Sequence, residues 1–436
     1  MRAVGRGRVC GACHQWMVAW ILGLSAAACH TKFTGPYACV QGYASCVQPQ
    51  ENLCETNTAN DALNCGGCSS APVGAGTACH LGAPCVDGGC GAGAAQIAAL
   101  PSGSQTPIVA NTSGVFWSNQ SDIYWLSSSG GTPATVATNV FSCGQAASFA
   151  VDSASVYYFS NSANCGQGVC SGLVQAPLSG AAPTFLTQSQ NTSTFQCASV
   201  ALSADGSELY WLTSASEGST TTLSLDKVSL TGGSASPTTV ATEQSANGSS
   251  SNRLVVTATA AIFEVNPTNN QTAFQVVPLS GAAATVLPLP PDSQGVSAFA
   301  ADSSNIYFLG SGCPCNNNNQ GGTTSGLPIG AVGKVPIDGS VGTILTQFTG
   351  EAGDIATDPG GGYVYFSTDT AAWKAPVTGG SAVAVAGNLT SGLPGALCAG
   401  CGGSNNQYPT AIAVDASHVY LADHAANVNA LLEVPK

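Results

Sequence analysis

Cysteine offers the most chemistry in this 436-residue chain, which holds 19 of them. Cys65 and Cys68 are separated by Gly-Gly, and Cys313-Pro-Cys315 with Cys398-Ala-Gly-Cys401 repeats the theme farther on. Thiolates at such spacings can hold a tetrahedral zinc ion. They can equally close disulfides, which persist in the oxidising setting of an exported protein. Disulfides are therefore expected, with two sets of candidates. Cys39, Cys46, Cys54, Cys65, Cys68, Cys79, Cys85 and Cys90 form one, and Cys143, Cys165, Cys170, Cys197, Cys313, Cys315, Cys398 and Cys401 the other. Eight cysteines allow roughly a hundred pairings, so connectivity stays open.

Other reactive groups are sparse. Beyond the leader only His30, His80, His418 and His424 remain. The last two flank a short strand and could face one another across a turn. Neither has an acidic or thiol partner at metal-ligand spacing. Glu351, Asp354 and Asp358 do not match a calcium-binding loop and are expected to be solvated. A strained Gly-x-Ser-x-Gly turn carrying a nucleophile is absent from the sequence. No catalytic set, metal or cofactor is nominated, and the expected role is non-enzymatic.

Only 7% of residues are charged, and the formal net charge is −13. With 44% apolar residues the chain is not of the disordered class, which combines low hydrophobicity with high charge. Nor does it offer phosphate the basic footprint of a nucleic-acid binder. Arg2, Arg6 and Arg8 precede the apolar run Trp16 to Leu24 and the small residues Ala26-Ala27-Ala28. That order describes a signal peptide over residues 1–28. The run is about half the ~20 residues a membrane-spanning helix needs. Removing the leader with Cys10 and Cys13 leaves 17 cysteines, an odd number, and setting Cys29 aside makes both remaining sets even. Cys29 is thus expected to carry lipid, tethering the protein to the bacterial envelope, although Ala26 stands where such signals usually have leucine.

Residues 29–93 are too short to bury much core and are read as a disulfide-rich module. They resemble the Asn-Cys-Gly-x-Cys repeats of secreted bacterial proteins. From residue 94 the chain repeats an aliphatic–aromatic triplet seven times. The copies are Val115-Phe116-Trp117, Val156-Tyr157-Tyr158, Leu209-Tyr210-Trp211, Ile262-Phe263-Glu264, Ile306-Tyr307-Phe308, Val364-Tyr365-Phe366 and Val419-Tyr420-Leu421. β-branched and aromatic content marks each as a strand. A small apolar run ending in Asp precedes most copies, and a strand closing on a Gly turn follows, as in Lys334-Val335-Pro336-Ile337-Asp338-Gly339. Four hairpin-linked strands repeated seven times make an all-β, seven-bladed propeller over residues 94–436, about 49 residues per blade. The last repeat lacks a fourth strand, and residues 95–100 ahead of the first supply one. Together they would close the ring.

The pattern Asp-x-x-x-Val-Tyr-Trp followed by Lys-Val-Pro-Leu-x-Gly-Gly resembles the YWTD and NHL propeller families. The resemblance implies the fold but no single activity. No repeat places Thr-Asp after Tyr-Trp, and Asn111 and Thr257 replace the leading Asp in the first and fourth repeats. In such a propeller the residues just before each innermost strand ring the channel mouth. Gln145, Gln196, Arg253, Gln294, Glu351 and Tyr408 are read there as a hydrogen-bonding ring suited to a polar ligand. The function expected is a monomeric envelope binding or scaffolding protein that contacts a protein or glycan. The alternative is a metal-dependent propeller hydrolase or lyase of the lactonase kind.

Overall fold

The structure, a computed structural model, describes residues 94–436 except 101–106, 120, 141–147, 161–171, 188–195, 218–219, 232–235, 247–252, 269–270, 291–292, 294, 311–328, 350–351, 369–370, 387–410 and 426–427. Ahead of these it describes four two-residue strands. Tyr43–Ala44 pairs with Thr56–Asn57, and Cys85–Val86 with Gly89–Cys90. The expected leader, Cys29 and most of the first cysteine set lie outside the described residues. The chain divides into two compact units, residues 1–79 with 85–91, and residues 80–84 with 92–436.

The larger unit is a seven-bladed β-propeller. Its strands form seven four-stranded antiparallel sheets, six of them simple meanders in chain order. Blade two shows the plan, with Phe149–Val151, Ser155–Ser160, Gly172–Pro177 and Thr184–Phe185 running from the inside outward. First strands of successive blades touch one another around the whole circle, which places them at the axis. The seventh sheet differs. Ala411–Val414, His418–Ala425 and Val428–Pro435 are completed by Ala95–Ala99, so an early segment and the last strand share one sheet. That pairing joins the start and the end of the propeller region and gives the seventh blade a fourth, outer strand like those of the others.

Strand periodicity explains the apolar triplets. Successive side chains on a strand point to opposite faces, and here both faces meet another blade. In blade two Val156 and Tyr158 pack toward blade one, while Tyr157 and Phe159 pack toward blade three. Seven apolar clusters fill the seven blade-to-blade interfaces in this way. A strand buried on both sides reads as a continuous apolar run rather than an alternating one. Close contact also selects small residues. A Cβ on Gly333 would lie 2.1 Å from Cζ of Phe308, its cross-strand neighbour.

In six blades the central aromatic of the triplet faces the next blade. The fourth repeat departs from that reading. Val256 pairs with Ala261, as Val151 pairs with Val156, so Ile262 is the counterpart of Tyr157. Ile262 accordingly packs toward blade five and Phe263 toward blade three. The triplet read from sequence is displaced there by one residue.

This register accounts for the repeat's leading Asp. Asp152 caps its own turn by accepting the amides of Ala154 and Ser155, and it also accepts the Tyr157 hydroxyl at 2.8 Å. Asp302 with Tyr307 at 2.8 Å and Asp415 with Tyr420 at 2.9 Å repeat the arrangement. Burial, then the hydrogen bond and charge of the aspartate, push all three tyrosine pKa values up, so these hydroxyls remain donors. Where the central residue is Phe116 or Ile262 there is no hydroxyl to receive. The turn is then capped by Asn111 or Thr257, which accept turn amides and use their own donors on the Asp152 and Ala260 carbonyls instead of on a tyrosine.

Candidate functional site

Antiparallel order decides where each connection leaves the propeller. Second-to-third loops and blade-to-blade connections share one end, and first-to-second and third-to-fourth turns share the other. Turns at the second end span only two to eight residues. The first end, the long-loop face, receives the connections between Ser160 and Gly172, between Gly310 and Ile329, and between Ala386 and Ala411. Cys143, Cys165, Cys170, Cys313, Cys315, Cys398 and Cys401 belong in sequence to connections at that face but lie outside the described residues. Cys197 is described only as backbone, near the start of Gln196–Leu202, the first strand of blade three.

The innermost strands define a ring by register. Val151, Leu202, Val256, Ala301, Thr357 and Val414 make equivalent pairs with their second strands. Counting back three residues gives Ser148, Ser199, Arg253, Ala298, Asp354 and Ala411, with Pro107 as the counterpart in blade one. Arg253 is the one residue common to this ring and the ring read from sequence. The others named there stand three or four residues upstream. Of these, Gln145, Gln294, Glu351 and Tyr408 lie outside the described residues. Gln196 is described as backbone only, opposite Ser214.

Side-chain oxygens in the ring satisfy main-chain donors of the following blade. Ser148 Oγ accepts from the Val200 amide at 3.0 Å, and Ser199 Oγ from the Leu254 amide at 3.0 Å. The two hydroxyls lie 3.4 Å apart. Asp354 Oδ2 plays the same part for the Ile412 amide at 3.5 Å. Arg253 carries only donors and reaches past blade five instead. Its Nη1 pairs with Asp354 Oδ1, and its Nη2 donates to the Ile355 carbonyl at 3.2 Å. Its guanidinium carbon lies 5.9 Å from the centre of the Phe299 ring, on the first strand of blade five. One side chain therefore links blades four, five and six at the channel.

Asp354 is itself held on several sides. Its Oδ1 accepts the Ile355 amide at 2.8 Å, and its own amide donates to Ser367 Oγ at 2.9 Å. The Arg253 side chain retains 36% of its exposure and that of Asp354 22%. The pair thus lies in the wall of the channel, within reach of solvent.

Other candidates separate. Asp354 and Asp358 stand at opposite ends of one strand stretch, about 13 Å apart at normal strand rise. Asp358 instead pairs with Lys436 at 2.5 Å, and this cation holds its carboxyl below the usual range even though burial opposes the shift. His418 and His424 lie on a single strand, His418–Ala425, about 20 Å apart at normal rise. They do not face one another across a turn. His418 faces Glu433 at 3.5 Å. Among the described residues no three His, Cys, Asp or Glu side chains converge to hold a metal ion. Ser148, Ser199 and Asp354 escaped the sequence reading as ring members. Alignment on the turn-capping position, Asp152, Ser203 or Asp358, four residues on from each, would have found them.

No known protein family and no curated protein matches the chain. Solved structures do. An oligogalacturonate lyase in complex with manganese superposes with a TM-score of 0.51 at 10% identity, covering 78% of this chain and 98% of the other. TolB from Acinetobacter baumannii gives 0.36 at 11% identity, over 76% of this chain and 79% of the other. A prolyl endopeptidase gives 0.43 at 11% identity, over 76% of this chain and 50% of the other. Of these three only the first exceeds 0.5. What the chain is similar to, at such identity, is the propeller fold.

Proposed function

We propose that the protein is a non-enzymatic binding or scaffolding protein of the bacterial cell envelope that takes a protein or glycan at the long-loop face of its propeller. The observation that carries this reading is the ring at the channel. Its polar groups are spent on donors of neighbouring blades, and Arg253 is fixed there with part of its surface open. Binding residues gather where loops meet a rigid scaffold, and this face has both. Residues 1–28 act as the export signal and Cys29 as the lipid-bearing residue, with the protein otherwise outside the membrane. Gln145, Gln196, Gln294, Glu351 and Tyr408 contribute to the same surface. The cysteines of the two sets form disulfides that brace the module and the long connections.

Retention of an envelope component by the purified full chain tests the reading, with R253A and Y408A compared to wild type. Each variant is expected to weaken retention by about 1–3 kcal/mol, the range of hot-spot contacts. Unchanged retention in both, with circular dichroism intact, would move the site off the channel mouth. Protein taken from the membrane fraction is expected to show an acyl mass on Cys29. A free N-terminus elsewhere would remove the tether from the proposal. Stoichiometric calcium together with lactone or ester hydrolysis would favour the lactonase-like alternative instead.

A further inference from the structure

We propose that Arg253 is the receptor for a carboxylate group of the bound ligand. This rests on the proposed binding role and names the ligand chemistry of that same site. Cations are scarce in this chain, and their placement is uneven. Lys227 and Lys334 lie in the later halves of third strands, Lys374 holds the matching register position two residues before the end of its own, and Lys436 follows directly after one. All four therefore belong to the short-turn end of the propeller. Among the described residues Arg253 is the one cation at the long-loop face.

Its surroundings prepare it for a planar acid. A guanidinium has five N–H donors in a fixed fork. Two are committed, to Asp354 Oδ1 and to the Ile355 carbonyl. Asp354 is fastened by the Ile355 and Ile412 amides, so the partner that orients the fork is itself held. Phe299 lies against the guanidinium, leaving the exposed part of the side chain on another side. The blade-five ring residue next to it is Ala298, which has no polar side chain to compete for the remaining donors.

Arg253 and Asp354 cancel in net charge, so long-range attraction is not what the site offers. It offers geometry. A carboxylate can accept two parallel N–H groups from one guanidinium edge, an arrangement that a lysine ammonium cannot reproduce. The same acid group could come from an acidic sugar or from a peptide's free C-terminus.

Ligand-observed NMR on the full chain, in fixed buffer and salt, distinguishes these sources. Glucuronate is compared with glucose, and an acetylated dipeptide acid with its amide. At least one acid should bind while its neutral counterpart does not, and R253K should reduce that binding tenfold or more. The arm that responds identifies the source. K374Q, at the opposite end, should leave binding unchanged, and R253K should keep the wild-type circular dichroism. Equal binding of acids and neutral counterparts, no binding of either acid, or retention in R253K would overturn the proposal. Loss in K374Q equal to that in R253K would overturn it too, by showing a diffuse charge effect. If neither acid binds while R253A and Y408A still lose the envelope component, only the carboxylate assignment falls and the binding role stands.

Discussion

Asp152, Asp302 and Asp415 each stand five residues before a tyrosine whose hydroxyl they accept, and each also caps a turn. The substitutions at Asn111 and Thr257 look irregular when the repeats are compared by the acidic residue alone. They become regular once Phe116 and Ile262 are seen at the partner position, because a carboxylate with no hydroxyl to receive is costly to hold beside a buried face. Blade five can be converted to the blade-one solution to test this. Asp302→Asn and Tyr307→Phe are each expected to cost about 1.5–3 kcal/mol, the range for hydrogen bonds to charged groups. The double variant should cost clearly less than the two singles together, as coupled neighbours do. Denaturant unfolding of the four proteins measures it, and strict additivity would show that the two groups act independently. The channel pair was not legible in the same way. Arg253 and Asp354 are 101 residues apart, and nothing local in either segment points to the other.

Strands were legible because each second strand is buried against two blades, which leaves an unbroken aliphatic–aromatic run in the sequence. The same cause produced the slip in blade four. With both faces apolar, Ile262-Phe263 fits either register, and only the pairing of Val256 with Ala261 fixes it. Register places the ring residues three or four positions after those read from sequence in five blades, because the first strands differ in length, from three residues in Phe149–Val151 to seven in Gln196–Leu202. Edge closure in blade seven makes its own prediction. Ala98 pairs with Leu431 and is buried with Leu431, Tyr420 and Trp117. Ala98→Pro removes a backbone donor and sets a ring into that interface. The expected outcome is a fall of several degrees in the thermal midpoint, with greater amide exchange in Val428–Pro435. Ala134→Pro, at the exposed outer strand Ala134–Thr138 of blade one, should cost much less. Equal effects would mean that the closing strand adds little to the ring.

Across the molecule, chemistry and construction separate by face. Short turns, capped by aspartates and crossed by lysines, occupy one end. The long connections, most of the propeller cysteines in sequence, and Arg253 belong to the other. The repeats anticipated an all-β chain of seven blades. They could not specify a ligand, because a propeller ring reads the same whatever its loops bind. The most direct test is site-specific photo-cross-linking of the full chain in envelope extract. A photoreactive residue is placed at Gln145, on the approach to the Ser148 ring position, or at Val341, which is 83% exposed in a turn of the opposite face. Adducts to an envelope component should form from position 145, diminish when R253A is added, and stay at background from position 341. Adducts from position 341 alone would contradict a binding site at the channel mouth.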